Sequence, residues 1–176
     1  MNTQLKLTLL ITVLLATTLH AQPSLQKIQG VSFSQVTITD NFWKPKMDKV
    51  ATATLSACVY QTEIKTPRIR NFEKVARMKA GGPPQKHEGI YYDDSDVYKA
   101  LEAIAYSLRT HPDTALEKRA DSWIDKIAAA QEPDGYLDIY FSLNGLDKRW
   151  TNIPYHEDYC AGHLMEAAVA YYDATG

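Results

Sequence analysis

Two stretches of the chain return apolar residues at steps of three and four. They are Val97, Leu101, Ile104, Ala105 and Leu108, and then Leu116, Ala120, Trp123, Ile124 and Ile127. Such spacing keeps one face of a helix apolar and fits no strand. It predicts two helices, folded into an antiparallel hairpin by the turn formers Thr110-His111-Pro112-Asp113. A further helix is predicted from a cap at Asp40 or Asn41 to about Gln61, with Phe42, Met47, Val50, Thr54, Ala57 and Cys58 inward. Another runs from about Tyr155 to Ala174, with Cys160, Leu164, Ala167, Ala168 and Tyr171 inward and Gly176 at its C′ position. Val31 to Ile38 roughly alternates, which predicts a short N-terminal strand with a bulge.

Between these elements lie breakers. Thr66-Pro67 interrupts the first helix, and Gly81-Gly82-Pro83-Pro84 makes 68–92 a long loop with one short helix near Phe72 to Met78. Glu132-Pro133-Asp134-Gly135 ends the third helix as a turn, and Asn144-Gly145 predicts a tight turn. The pattern is mainly α. Stripes of this kind bury themselves only against further layers, so the chain is expected to be part of a larger helical domain. No fixed period recurs, which disfavours the short-repeat solenoids.

The first residues change the compartment. Lys6 precedes an apolar run, Leu7 to Leu19, that ends at Ala21 before polar Gln22-Pro23-Ser24. That is the layout of a secretory signal peptide over 1–21, too short to cross a bilayer comfortably. The expected product, 22–176, is exported to the periplasm or the extracellular space and is not membrane-bound. Its net charge moves from −2 to −3 because Lys6 is the only charge removed. No basic surface of the kind that holds nucleic acid is expected. Export permits a disulfide between Cys58 and Cys160, although two separate buried thiols on helices explain them better.

Several residues carry candidate chemistry. Asp94 and Asp96 could form an acid and base pair of the glycosidase type, but at a helix start capping is the preferred reading. His156 either caps the last helix or offers a sugar one donor and one acceptor. His163 reads best as a core histidine bonded to a carbonyl, and Glu157 is a weaker sugar-site candidate. The aromatics Tyr136, Tyr140, Trp150 and Tyr155 fall at helix ends, where a sugar ring could stack or a neighbouring hairpin could pack.

Four motifs occur in a fixed order: Asp94-Ser95-Asp96-Val97-Tyr98-Lys99, then Ala130-Gln131-Glu132-Pro133-Asp134-Gly135-Tyr136-Leu137, then Arg149-Trp150-Thr151-Asn152, then His156-Glu157-Asp158-Tyr159-Cys160-Ala161-Gly162-His163-Leu164 with Glu166-Ala167-Ala168-Val169-Ala170-Tyr171-Tyr172. In this order they resemble the beta-L-arabinofuranosidases of glycoside hydrolase family 127, from about Phe33 to Gly176. The resemblance implies an incomplete (α/α)6 barrel of helical hairpins, the amino-terminal part of the catalytic domain. It implies an enzyme that releases terminal beta-L-arabinofuranose or a related sugar from plant polysaccharide or glycoprotein glycans. Hydrolysis would retain configuration through a covalent cysteine intermediate beside zinc. The nucleophilic cysteine, the zinc ligands and the acidic partner of that family match no position here, so the fragment is expected to be inactive and to hold no metal or catalytic residue itself. Two positions do match sugar contacts: Gln61 and His156.

The sequence departs from the pattern at Ala100, where many relatives carry tryptophan, and at Asp158, where leucine is commoner. Both differences bear on substrate choice, since one pocket residue shifts selectivity by about 1 to 3 kcal/mol. Two rivals stand beside this reading: another helical-barrel glycosidase or uronide hydrolase working through Asp94 or Asp96, and a non-catalytic carbohydrate-binding protein. The oligomeric state, a homodimer included, is left open.

Overall fold

The computed structural model describes residues 28–176. The leader predicted over 1–21 lies outside the described residues. The chain divides into a unit ending at Gln35 and a second unit, Val36–Gly176. In the first, the described part holds one 3-10 turn, Phe33–Gln35, closed by the Gln35 amide on the Ser32 carbonyl at 2.9 Å. The strand predicted from Val31 to Ile38 is therefore not formed. The described residues include no strand to ladder with it, and Val31 and Val36 are exposed.

The second unit is helical. Its first helix, α1, begins at Trp43–Lys49 and continues through Val50–Thr54, Leu55–Val59 and Tyr60–Lys65, with π-helical turns in the second and fourth segments. Asp40 starts it, its Oδ1 accepting from the amides of Phe42 and Trp43 at 2.7 and 2.5 Å. The wide turns shift the buried face to Leu55, Val59 and Thr62, so Val50, Thr54, Ala57 and Cys58, predicted inward, are exposed; Phe42, also predicted inward, lies ahead of the helix and is exposed as well. α2 spans Arg68–Lys79, longer than the short helix expected there, because Pro67 sits just ahead of its first turn, where a missing N–H costs nothing.

α3 (Asp94–Thr110) and α4 (Thr114–Ala130) form the predicted hairpin. Asp113 caps α4 through the amides of Ala115 and Leu116 at 2.9 and 3.0 Å. Every residue of the predicted α3 stripe is buried. A short helix, α5 (Ile139–Asn144), runs into the predicted Asn144-Gly145 turn, with Gly145 (φ 126°) directly after it. α6 spans Glu157–Thr175, and its Cys160, Ala167 and Ala170 are buried while Ala168, predicted inward, is exposed.

Cross-helix contacts give the layering. Lys99 meets Tyr159 (Nζ to Oη 2.5 Å) and Glu102 lies beside His163 and Glu166, so α3 and α6 run side by side in one direction. Lys126 pairs with Glu73 at 2.9 Å and Lys79 reaches the Ala129 carbonyl at 3.3 Å, so α2 and α4 do the same. Phe72, Val75, Val97, Tyr98, Ile104 and Trp123 fill the space between, all at most 1% exposed. Ala100, read from the sequence as a substrate-wall position, belongs to this core. Met165, Val169 and Tyr172 remain exposed along α6. Among the described residues no helix is long and apolar enough to cross a membrane.

Candidate functional site

The start of α6 builds a cleft. The 3-10 turn Ile153–Tyr155, with Pro154 inside it, delivers the chain to His156, whose φ of 66° is left-handed; α6 begins one residue later. Trp150, Asn152, Ile153, Pro154, His156, Glu157, Asp158 and Tyr159 enclose about 370 Å³ there. Non-glycine residues rarely take positive φ, and Trp150 (61°) and His156 are those that do among the described residues.

His156 occupies the cap position of α6, yet its side chain caps nothing. Its Nδ1 lies against the Pro154 carbonyl, which assigns the proton to that nitrogen and leaves the lone pair on Nε2. The ring sits 5.0 Å from Tyr92, 6.0 Å from Tyr91 and 5.8 Å from Tyr159, and is exposed. Tyr140 stacks on Tyr155 at 5.3 Å, and Tyr91 meets both rings. Of the predicted aromatics, Tyr140 and Tyr155 join this group through Tyr91, while Tyr136 and Trp150 pair with each other. Tyr91, Tyr92 and Tyr159 were not singled out from the sequence, although Tyr91-Tyr92 stands just before a helix start.

Glu157 is buried, 7% exposed. Its Oε1 accepts from the Tyr136 hydroxyl, and its Oε2 accepts from the Trp150 amide at 2.8 Å. Burial, and next the bond to Glu157, push the Tyr136 hydroxyl up from its ordinary value. Trp150 lies edge-on to Tyr136 at 5.5 Å, and the Arg149 guanidinium covers the Tyr136 ring at 5.1 Å.

The remaining candidates lie apart from the cleft lining. Gln61 is exposed in the last π turn of α1. His163 does not bond a carbonyl as expected; it packs on Tyr159 at 4.5 Å, with Nδ1 3.2 Å from a Glu166 carboxylate oxygen one helical turn away. Asp94 and Asp96 neither cap α3 nor pair with each other. Asp96 joins Asp93 in binding Arg68, at 2.7 and 3.1 Å, which ties the starts of α2 and α3. Asp94, 2% exposed, instead accepts from the Ile139 amide at 2.8 Å.

That contact brings Asp94 beside a second buried acid, Asp138, which lies outside the four motifs. Asp138 caps α5 through the Phe141 amide at 3.1 Å, while its Oδ2 is buried with no hydrogen-bond partner. Burial raises the Asp138 carboxyl to about 6, with Glu157 adding to the rise. Burial, then the neighbouring Asp138 charge, holds Asp94 well above the usual carboxylate range. A carboxylate reading of the reaction through Asp94 and Asp96 finds no support: one is locked to backbone, the other to Arg68. The only sequence signal for Asp138 is its place just after Gly135-Tyr136-Leu137 and before an apolar turn.

The cysteines do not form a metal centre. Cys58 is exposed on α1, Cys160 is buried on α6, and both are free thiols. Among the described residues, the grouping with metal-ligand spacing is Glu102, His163 and Glu166, which contains neither cysteine. A cysteine-bound zinc does not fit the side chains described.

Comparison with known proteins bears on this site. A family model for the catalytic domain of the GH127 beta-L-arabinofuranosidases matches residues 35–176. A non-reducing end beta-L-arabinofuranosidase of Bifidobacterium longum subsp. longum is 36% identical over 166 residues, covering 80% of this chain and 24% of the relative. Two solved structures superpose well. Ara127N-Se, a GH127 beta-L-arabinofuranosidase from Geobacillus stearothermophilus T6, has a TM-score of 0.71 at 42% identity, over 80% of this chain and 23% of its own. The GH127 beta-arabinofuranosidase BT3674 has a TM-score of 0.72 at 39% identity, over 82% of this chain and 24% of its own. The chain thus spans about a quarter of the length of these relatives.

Proposed function

Because this chain belongs to the GH127 beta-L-arabinofuranosidase family, we propose that it forms the amino-terminal part of the catalytic domain of an exported glycoside hydrolase. The complete enzyme releases terminal beta-L-arabinofuranose or a related sugar from plant polysaccharide or glycoprotein glycans. Residues 1–21 serve as its leader. The observation that carries the reading is an exposed, uncapping His156 set among tyrosines at the edge of a cleft of about 370 Å³. A neutral imidazole with a free lone pair can accept from a sugar hydroxyl, and Gln61 offers an amide that reads hydroxyls in either sense.

The side-by-side pairs α3/α6 and α2/α4 support an arc of an (α/α)6 barrel, with one helix layer inside the other. The uncovered apolar residues of α6 supply a face for the next hairpin. In this reading the cysteine nucleophile, its acid partner and the zinc belong to the complete enzyme, outside the residues described. Zinc there would hold cysteine as thiolate. Cys160 does not share in that role, because burial pushes its thiol up and away from the reactive form.

The test is hydrolysis of an aryl beta-L-arabinofuranoside by the full-length protein and by its His156→Ala variant. A loss of about tenfold to hundredfold in kcat/KM is expected for one sugar hydrogen bond that strengthens in the transition state. Equal activity in the two would remove His156 from the site, and inactivity of the parent on all arabinofuranosides would remove the substrate.

A further inference from the structure

We propose that Glu157 is a positioning residue, whose carboxylate fixes the exposed indole of Trp150 as a stacking wall for the sugar, and is neither acid nor base in the reaction. The inference rests on the sugar-cleft reading above and deepens it.

Both carboxylate oxygens of Glu157 are already engaged, one by the Tyr136 hydroxyl and the other by the Trp150 amide at 2.8 Å. What they hold is unusual in two respects. Trp150 keeps a left-handed backbone, φ 61°, which a bulky residue adopts only where its surroundings over-determine it. Its side is also 58% exposed and borders the cleft, so a buried carboxylate holds a large apolar ring out in water. Core packing does not call for that arrangement. A sugar ring, with an apolar face of C–H groups, does.

The neighbours tighten the same ring. Tyr136 meets Trp150 edge-on at 5.5 Å, Arg149 lies over Tyr136 at 5.1 Å, and Arg149 pairs with Asp134 at 2.6 Å. Glu157 thus joins the Pro133-Asp134-Gly135-Tyr136 turn, the Arg149-Trp150 segment and the first residue of α6 into one brace.

The experiment compares full-length parent, Glu157→Gln, Glu157→Ala, Trp150→Ala and the Glu157→Ala/Trp150→Ala double variant on an aryl beta-L-arabinofuranoside. Gln keeps an oxygen for the Trp150 amide and a polar group for Tyr136, so its kcat is expected within about threefold of the parent. Glu157→Ala is expected to raise KM about tenfold with kcat little changed, as loss of one stacking wall would. The double variant should be no worse than Trp150→Ala alone. A Gln variant whose kcat falls more than about tenfold overturns the proposal, because a group in the chemistry does not tolerate the amide. Independent, additive losses in the double variant overturn it as well.

A second readout needs no activity. The bond to Glu157 holds the amide that trypsin would cleave after Arg149. Nicking there should be about tenfold faster in Glu157→Ala and parent-like in Glu157→Gln, since a lost buried hydrogen bond favours local opening. Equal nicking in all three overturns the brace. If the parent cleaves no arabinofuranoside, the substrate assignment falls while the nicking result still decides the role of Glu157.

Discussion

Asp138→Asn should stabilise the protein at neutral pH, and the gain should fade in acid. Asp138 is 1% exposed, its Oδ2 has no partner, and its carboxyl is raised from 3.8 to about 6 by burial first and Glu157 next. Below 3.8 the folded and unfolded chains are both neutral at this group. As pH rises the unfolded chain ionises first, so the unfolded state binds fewer protons and folding stability falls until about pH 6; above that the cost is constant. At about 1.4 kcal/mol for each tenfold difference in proton affinity, the gap corresponds to about 3 kcal/mol at pH 7.5. Asparagine is as good a helix cap and can still accept from the Phe141 amide, so little is lost in exchange. Urea denaturation of the full-length protein, followed by circular dichroism at pH 4.5 and 7.5, should show a gain of about 1 to 3 kcal/mol at the higher pH and a smaller one at the lower. A variant less stable than the parent at pH 7.5, or one whose gain is the same at both, would refute the argument that an ionised Asp138 strains the fold.

Two further outcomes follow from the packing. Trp123, wholly buried between α2 and α3, should cost about 3 to 5 kcal/mol when changed to alanine, read as a lower denaturation midpoint; a cost below about 1 kcal/mol would mean that α4 does not seal this core. Brief iodoacetamide treatment of the native protein, read by peptide mass, should label Cys58 and spare Cys160, because the first is exposed and the second is buried with its thiol pushed up; a Cys58–Cys160 disulfide in the same digest would contradict the two free thiols.

What could be read from the sequence was what depends on near neighbours. The stripes of α3 and α4 face the core as their three and four steps require, and Asp40 starts α1 as its chemistry suggests, while Asp113, read only as a turn former, also caps α4. α1 went wrong where π turns widened the helix, since a fixed period carries the wrong residues inward once an extra residue enters a turn. α2 reaches back beyond the predicted short helix, Phe72 to Met78, to Arg68, because Pro67 ahead of a first turn starts a helix rather than breaking one, and because polar Asn71 and Lys74 lie inside. Both are buried by partners far along the chain: Asn71 donates to the Glu88 carbonyl at 2.7 Å, and Lys74 reaches the Lys86 carbonyl at 3.0 Å and the Glu88 carboxylate. The four ordered motifs contain His156 and Tyr159 but neither Tyr91 nor Tyr92, the other rings beside it, and the capping reading of Asp94 fails because its partner, the Ile139 amide, is one that no local pattern predicts.

The cost at Asp138 and the geometry of the cleft are linked through α5. Two carboxylates that resist burial converge on the first turn of this short helix, Asp94 on Ile139 and Asp138 on Phe141. The same turn carries Tyr140 and Phe141, whose rings pack on Tyr155 at 5.3 and 5.4 Å, one residue before His156. A six-residue helix has little stability of its own, so the acids at its head decide where those rings stand. Two strong acceptors anchoring so short an element, at a site where neutral side chains would be cheaper to bury, are better explained by the position of the aromatic wall than by stability. Asp138→Asn, which keeps the cap, should therefore leave the wall in place while relieving the charge. Removing the Asp94 acceptor should instead loosen α5, and with it the approach to His156.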